Sequence, residues 1–247
     1  MIFSQEEFNS RISKVKESMN KKGIEILLTT DPSNMNYLTG YDGWSFYVPQ
    51  GVILSIDEEQ PYWFGRKQDS NGARITTYLN EKNIFGYPEH LIQSPPSHPY
   101  DFIVKLFKDK KWSGKNIGVE MDSYYYTAEN HKRLIDNLTN AKFINAHLLI
   151  NWVRYIKSEN EIRYMKDAGM LVKAGMQTAF DSIKEGVKQS AVAGKIQNTL
   201  IAGNKETQMG GEYAGLGLIL ASGRSASASH LTPSEKKFEN NEGTIIE

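Results

Sequence analysis

The sequence predicts an α/β protein that passes into an α+β segment, and three observations carry that prediction. Strand-length apolar runs alternate with helix-period patterns through the first part of the chain. After Trp152 the texture changes to two long helix patterns. The last residues, Gly243 to Glu247, return to a strand pattern. The change places a domain boundary near residue 153, with one domain over 1–152 and a second over 153–247.

The elements follow in order. Ser4 and Glu7 form a capping box, and Phe8, Ile12, Val15 and Met19 recur on one helical face up to Gly23. Ile24 to Leu28 reads as a buried strand. Asp31-Pro32 turns the chain into a short helix with Met35 and Leu38, ended by Gly40. Phe46–Ile56 and Pro61–Phe64 read as a strand pair around Asp57-Glu58-Glu59. Strands over Asn83–Phe85, Ile117–Glu120 and Ala141–Ile144 then alternate with helices near Asp101–Phe107 and Ala128–Leu138, and Gln93–Pro99 is a loop. Beyond the boundary, Ser158 and Glu161 cap a helix lined by Ile162, Met165, Leu171, Val172, Met176, Phe180 and Ile183. Gly186 separates it from a second helix with Val187, Val192, Ile196 and Leu200. Leu216–Leu220 and Thr244–Ile246 are the closing strands. The second of these reads as the start of a buried strand, so the chain is expected to be C-terminally truncated.

Composition narrows the function. Basic and acidic residues balance at 29 each, so no global field draws nucleic acid or an anionic membrane. There is no cysteine, which excludes disulfides, thiolate catalysis and cysteine-bound zinc. No signal pattern or membrane-length apolar run is present, and a cytoplasmic protein is expected.

Three segments carry a family resemblance. Asp31-Pro-Ser-Asn-Met-Asn-Tyr-Leu-Thr-Gly40 comes first, then Arg154-Tyr-Ile-Lys-Ser158-Glu-Asn-Glu161-Ile. Ser222-Gly-Arg-Ser-Ala-Ser-Ala-Ser-His230-Leu-Thr-Pro is the third. Together they resemble the creatinase/aminopeptidase P family (peptidase M24, pita-bread fold). The resemblance implies a creatinase-like N-terminal α/β domain followed by a truncated α+β pita-bread catalytic domain. Gly210-Gly-Glu-Tyr213 and Glu242-Gly-Thr-Ile-Ile-Glu247 are most similar to the ectoine hydrolase branch.

In the family register His230 faces the substrate, and Glu247, seventeen residues on, stands where the metal-dependent peptidases place aspartate. Both are the expected catalytic residues. A carboxylate can attack or activate water at the sp² carbon of an amidine, and a histidine can move the proton near neutral pH. The resemblance therefore implies opening of the ectoine ring to N-acetyl-diaminobutyrate with no cofactor. The alternatives are an Xaa-Pro dipeptidase or aminopeptidase with two divalent metal ions, and a non-catalytic binding or scaffold module. Taken without the register, a glutamate at a strand end is most often a solvated residue.

Trp44, Phe46 and Tyr47 are expected to bind substrate, because related enzymes offer aromatic residues there to a neighbouring subunit's pocket, and aromatic faces suit a small cation. Core packing is the alternative reading of all three. The expected partners are a small molecule and a second copy in a homodimer. The present chain alone is expected to be inactive. His90, His98, His131 and His147 lack ligand spacing, and Gly215-Leu-Gly217 lacks the strand–turn–helix frame of a dinucleotide site. Ser225, Ser227 and Ser229 have no assignable triad acid, and the Lys105–Lys115 cluster is a solvated helix end.

Overall fold

The computed structural model describes residues 3–203, 217–228 and 230–247. The chain forms two compact units, Met1–Ile156 and Lys157–Glu247.

The first unit opens with α1 (Gln5–Lys21). Its N-cap Ser4 accepts the Glu7 amide, but Glu7 turns its carboxylate to Arg11 at 2.9 Å instead of closing the box. β1 (Ile26–Thr29) and α2 (Pro32–Thr39) follow. The Asp31 side chain accepts from the Asn34 amide at 3.0 Å, and Pro32 needs no partner in the first turn. Gly40 ends α2 at φ 80°, where a Cβ would lie 3.2 Å from both Phe8 Cζ and the Thr76 carbonyl. Gly40→Ala should therefore lower the unfolding free energy by about 1–2 kcal/mol, the left-handed penalty. An unchanged denaturation midpoint would contradict this.

β2 (Gly51–Ser55) and β3 (Tyr62–Arg66) form the expected hairpin, in antiparallel register Gly51↔Phe64. The expected first strand is shorter than its apolar run. Residues 46–50 leave the ladder because Val48 closes a turn on the Ser45 carbonyl and Pro49 cannot donate. The chain continues through α3 (Ser70–Thr76), β4 (Ile84–Tyr87), α4 (Pro99–Asp109), β5 (Asn116–Val119), α5 (Ala128–Asn137), β6 (Lys142–Asn145) and α6 (Leu149–Arg154). α3 and α6 are two helices the pattern did not announce. Both are short, and α3 contains Gly72 and leaves Ile75 exposed.

The strand order is β4-β3-β2-β1-β5-β6, with β2 antiparallel to both its neighbours and the other pairs parallel. Alternation divides the core in two. Leu27, Val52, Leu54 and Trp63 pack with Ile12, Val15 and Met19 of α1 and with Met35 and Leu38 of α2. Ile26, Leu28, Ile53 and Phe64 pack on the opposite face with Tyr100, Ile103 and Phe107 of α4 and Leu134 of α5. The result is a sheet covered on both faces by helices.

Behind the ends of β1 and β5 lies a polar hub. The Glu120 carboxylate, 3% exposed, accepts the Thr30 amide at 2.9 Å, the Asp31 amide at 3.1 Å and Asn34 Nδ2 at 2.6 Å. Asn34 Oδ1 in turn accepts from Arg154 at 2.7 Å, and its Nδ2 also donates to Asn151 Oδ1. One buried carboxylate thus ties the start of α2 to α6 through Asn34.

In the second unit, α7 (Glu159–Ser182) opens with a complete capping box. Ser158 Oγ accepts the Glu161 amide at 3.1 Å, and the Glu161 carboxylate accepts the Ser158 amide at 2.7 Å. α8 is Gln189–Ala202. The helix pair meets through small residues: Ala174, Gly175 and Ala179 are the buried positions of α7, and a Cβ on Gly175 would lie 2.9 Å from Leu200. The larger apolar residues expected to face the core, Ile162, Met165, Val172 and Phe180, are exposed. Close approach of two helices selects small side chains at the contact, so the apolar stripe and the buried stripe differ.

β7 (Leu220–Ser222) and β8 (Thr244–Ile246) close the unit as an antiparallel pair. β8 is not the buried strand expected: Thr244 and Ile245 are exposed and Ile246 is half-buried. Its one strand neighbour among the described residues is β7. No described helix is long and apolar enough to cross a membrane.

Candidate functional site

The β7–β8 ladder sets the position of Glu247. Leu220 faces Ile246 and Ser222 faces Thr244, and the pairing runs one residue further, where Ile219 and Glu247 exchange both backbone bonds at 2.7 and 2.9 Å. Side chains alternate across such a ladder. Leu220 and Ile246 pack into a core with Ala179, Val192, Ile196 and Phe238, and Ile245 alternates away from it. Glu247 is exposed. A cavity of about 210 Å³ beside the ladder, predominantly apolar, has Val172, Met176, Leu200, Leu218, Ile246 and Glu247 in its wall.

His230 stands in a turn, exposed, with φ 66°. Gly223–Ser227 winds as a 3-10 turn, because Gly-Arg-Ser-Ala-Ser offers no alternating apolar face to a sheet. His230 is absent from the cavity wall, and no hydrogen bond joins it to Glu247 among the described residues. The two candidates therefore share a unit, His230 on the chain between β7 and β8 and Glu247 directly after β8, with no hydrogen bond between them among the described residues.

That connection is stitched down by polar residues that the sequence pattern did not single out. Lys236 Nζ meets both Glu242 oxygens at 2.5 and 2.6 Å, and Ser222 Oγ donates to Glu242 at 3.2 Å. Gln189, 1% exposed, donates to Ser222 Oγ at 2.9 Å and accepts from Ser234 Oγ at 2.8 Å. Hydrogen bonding from Lys236 holds the Glu242 carboxyl below the usual carboxylate range. A polar residue at the first position of an apolar helix, as Gln189 is in α8, was the one available signal.

The aromatic candidates lie in the first unit, on the loop between α2 and β2. Trp44 and Tyr47 are 68% and 69% exposed, while Phe46 is half-buried. Phe46 lies between Trp44, ring centroids 5.1 Å apart, and Tyr125, 5.8 Å apart and edge-on. Trp44 and Tyr47 are thus not core residues, and Phe46 is their support.

Three of the other histidines have local contacts. His98 caps α4 by accepting the Tyr100 amide through Nδ1, and burial keeps its imidazole below the usual range. His131 is hydrogen-bonded to the Tyr126 hydroxyl at 2.9 Å, and His147 Nε2 is 3.6 Å from Asp122. Gly210-Gly-Glu-Tyr213, Leu216, Ser229 and most of Gly215-Leu-Gly217 lie outside the described residues.

Comparison with known proteins agrees with the two-part reading. The sequence model of the Creatinase/Prolidase N-terminal domain matches residues 11–156, and that of Metallopeptidase family M24 matches residues 163–247. The chain is 39% identical, over 99% of its length, to the ectoine hydrolase of Halomonas elongata, of which it covers 62%. It is 41% identical to an uncharacterized hydrolase/peptidase of Sinorhizobium fredii, over 82% of this chain and 52% of that protein. A prolidase structure from Thermococcus sibiricus superposes with a TM-score of 0.74 at 20% identity, covering 97% of this chain and 60% of that one. The chain therefore spans 52–62% of the length of these relatives.

One expectation is overturned by these matches. A reaction with no cofactor does not follow for a segment that matches a metallopeptidase family. The physical reason is that a carboxylate at position 247 can act as a base and is equally a metal donor. Among the described residues no three of His, Asp and Glu gather as a metal-holding group, so these residues do not fit a metal centre by themselves.

Proposed function

Starting from a chain that belongs to the creatinase/prolidase family, with a first pita-bread segment of the M24 type, we propose that it is part of a hydrolase that opens the ring of ectoine or a close cyclic amidine. The observation that carries the reading is the 39% identity to an ectoine hydrolase across 99% of this chain. The ladder supports it chemically, because it holds Glu247 exposed at the wall of the cavity beside β7–β8, where a substrate can reach its carboxylate.

Glu247 and His230 are the proposed catalytic pair. Glu247 takes a proton from water as the water oxygen bonds to the amidine carbon. His230 gives a proton to the departing ring nitrogen as the C–N bond breaks, leaving an N-acetyl-diaminobutyrate. Trp44, Phe46 and Tyr47 are assigned to substrate contact from the partner copy of a homodimer, where the exposed ring faces suit an amidinium.

The test uses the whole enzyme that carries this chain, supplied with divalent metal and assayed by mass spectrometry against ectoine and an Xaa-Pro dipeptide. Ring opening with the dipeptide intact is expected. Dipeptide cleavage with ectoine unchanged would replace this reading by that of a peptidase, which the match to Metallopeptidase family M24 makes the second candidate.

A further inference from the structure

We propose that the Lys236–Glu242 ion pair, hydrogen-bonded to Ser222, is a register lock that fixes which face of the β7–β8 ladder carries Glu247. The proposal rests on Glu247 being the residue that meets substrate, and it names the side chains that place it there.

Strand register is normally specified by the hydrophobic pattern, since a slip of one residue turns every side chain to the other face. In β8 that specification is weak. Ile245 and Ile246 are adjacent and of one type, so a one-residue slip exchanges one isoleucine for the other against Leu220. The slip is nearly neutral for the apolar core but decisive for the site, because it would turn over the side chain of Glu247, which stands in the cavity wall.

Polar contacts at the far end of the ladder resist that slip. The Gly223 amide donates to the Gly243 carbonyl at 2.9 Å, next to the Ser222↔Thr244 pair. The Glu242 carboxylate lies against Gly223 so closely that a Cβ there would come within 2.1 Å of its Oε1. Glu242 Oε2 accepts from Ser222 Oγ, and Lys236 bridges both Glu242 oxygens while its Nζ lies 3.4 Å from the Ser222 carbonyl. Ser222 is anchored in turn by Gln189 of α8. A slip of one residue moves Glu242 by about 3.3 Å along the strand, enough to separate it from Ser222 and Lys236 together. Lys236 and Glu242 thus act on the reaction through Glu247 and are positioning residues.

The experiment reads register directly, by nuclear magnetic resonance on the whole enzyme that carries this chain, with the residues of the ladder selectively labelled. Wild type should show Hα–Hα contacts for Leu220–Ile246 and Ser222–Thr244, with slow exchange of the Ile219 and Glu247 amides. Glu242→Gln and Lys236→Met should each speed exchange of those two amides at least tenfold and add a Leu220–Ile245 contact. Amides of α8 should stay protected, which separates slippage from unfolding. The exchanged pair Lys236→Glu with Glu242→Lys should restore protection, a rescue that loss of bulk packing would not give. Unchanged contacts and protection in both single variants would overturn the lock. In the whole enzyme the same variants should lower kcat and leave KM within about twofold. A shifted register with unchanged turnover would leave the lock standing and remove Glu247 from catalysis.

Discussion

Replacing Glu247 by glutamine in the whole enzyme should lower turnover about 10²–10⁴-fold, the range set by loss of a positioned acid or base. The substitution keeps shape and removes the charge and the proton-accepting capacity together. Because Glu247 is exposed and is held by backbone bonds to Ile219, its side chain contributes little to folding. Thermal stability should stay within about 0.5 kcal/mol of wild type, as for surface changes in general. The informative comparison is between the two readouts. A full loss of turnover with an unchanged unfolding curve identifies a chemical role, whereas turnover within a few-fold of wild type would return Glu247 to the class of solvated strand-end residues.

The second large effect is on folding. Glu120→Ala should destabilise the first unit by about 3–5 kcal/mol, because it leaves the Thr30 amide, the Asp31 amide and Asn34 Nδ2 without their acceptor in a buried setting. Glu120→Gln should cost less, about 1–3 kcal/mol. It retains one accepting oxygen but opposes an amide donor to Asn34 Nδ2, and Asn34 cannot turn over without presenting that donor to Arg154. Urea denaturation followed by circular dichroism measures both, and equal stabilities for alanine and glutamine variants would contradict the hub.

The hub also has a pH signature. Burial, the largest influence, raises the Glu120 carboxyl above its usual range, against hydrogen bonds from Thr30, Asp31 and Asn34 that pull it down. A raised value in the folded state means that the native protein holds this proton more tightly than the unfolded chain. The associated stabilisation is fully present below the unfolded value of about 4.3 and is lost as pH rises through the folded value. The stability of wild type relative to Glu120→Gln should therefore be greatest below about pH 4 and decrease toward neutrality. A relative stability that grows with pH would show that the hydrogen bonds outweigh burial.

Much of the first unit was legible because local chemistry and burial agree there. Ser4 and Asp31 cap helices through their own side chains, Gly40 ends one through its positive φ, and Leu27 against Ile26 and Leu28 shows the two-faced alternation of a covered sheet. In the second unit the capping box at Ser158 and Glu161 was equally legible, since both of its bonds span only three residues. Where local and tertiary demands part, the pattern misleads. The apolar stripe of α7 is exposed at Phe180 while Gly175 is buried, because contact with Leu200 selects the absence of a side chain. Residues 46–50 read as strand, yet Pro49 and the turn at Ser45 remove them from the ladder, and that is what lifts Trp44 and Tyr47 into solvent.

The candidate site divides in the same way. The sequence by itself determined the two-part architecture, the capped helix starts and the balance of charge, which rest on residue type and on spacings of a few residues. The resemblance to a known family named Glu247, His230 and the three aromatic residues as candidates. Tertiary structure alone decided that His230 stands in a turn apart from Glu247, that Glu120 is buried beneath α2, and that Lys236 and Glu242 close on Ser222. Those facts join residues separated by 14 to 120 positions, from Ser222 and Lys236 to Asn34 and Arg154. The free energy of such contacts comes from burial and geometry that exist only once the chain has folded.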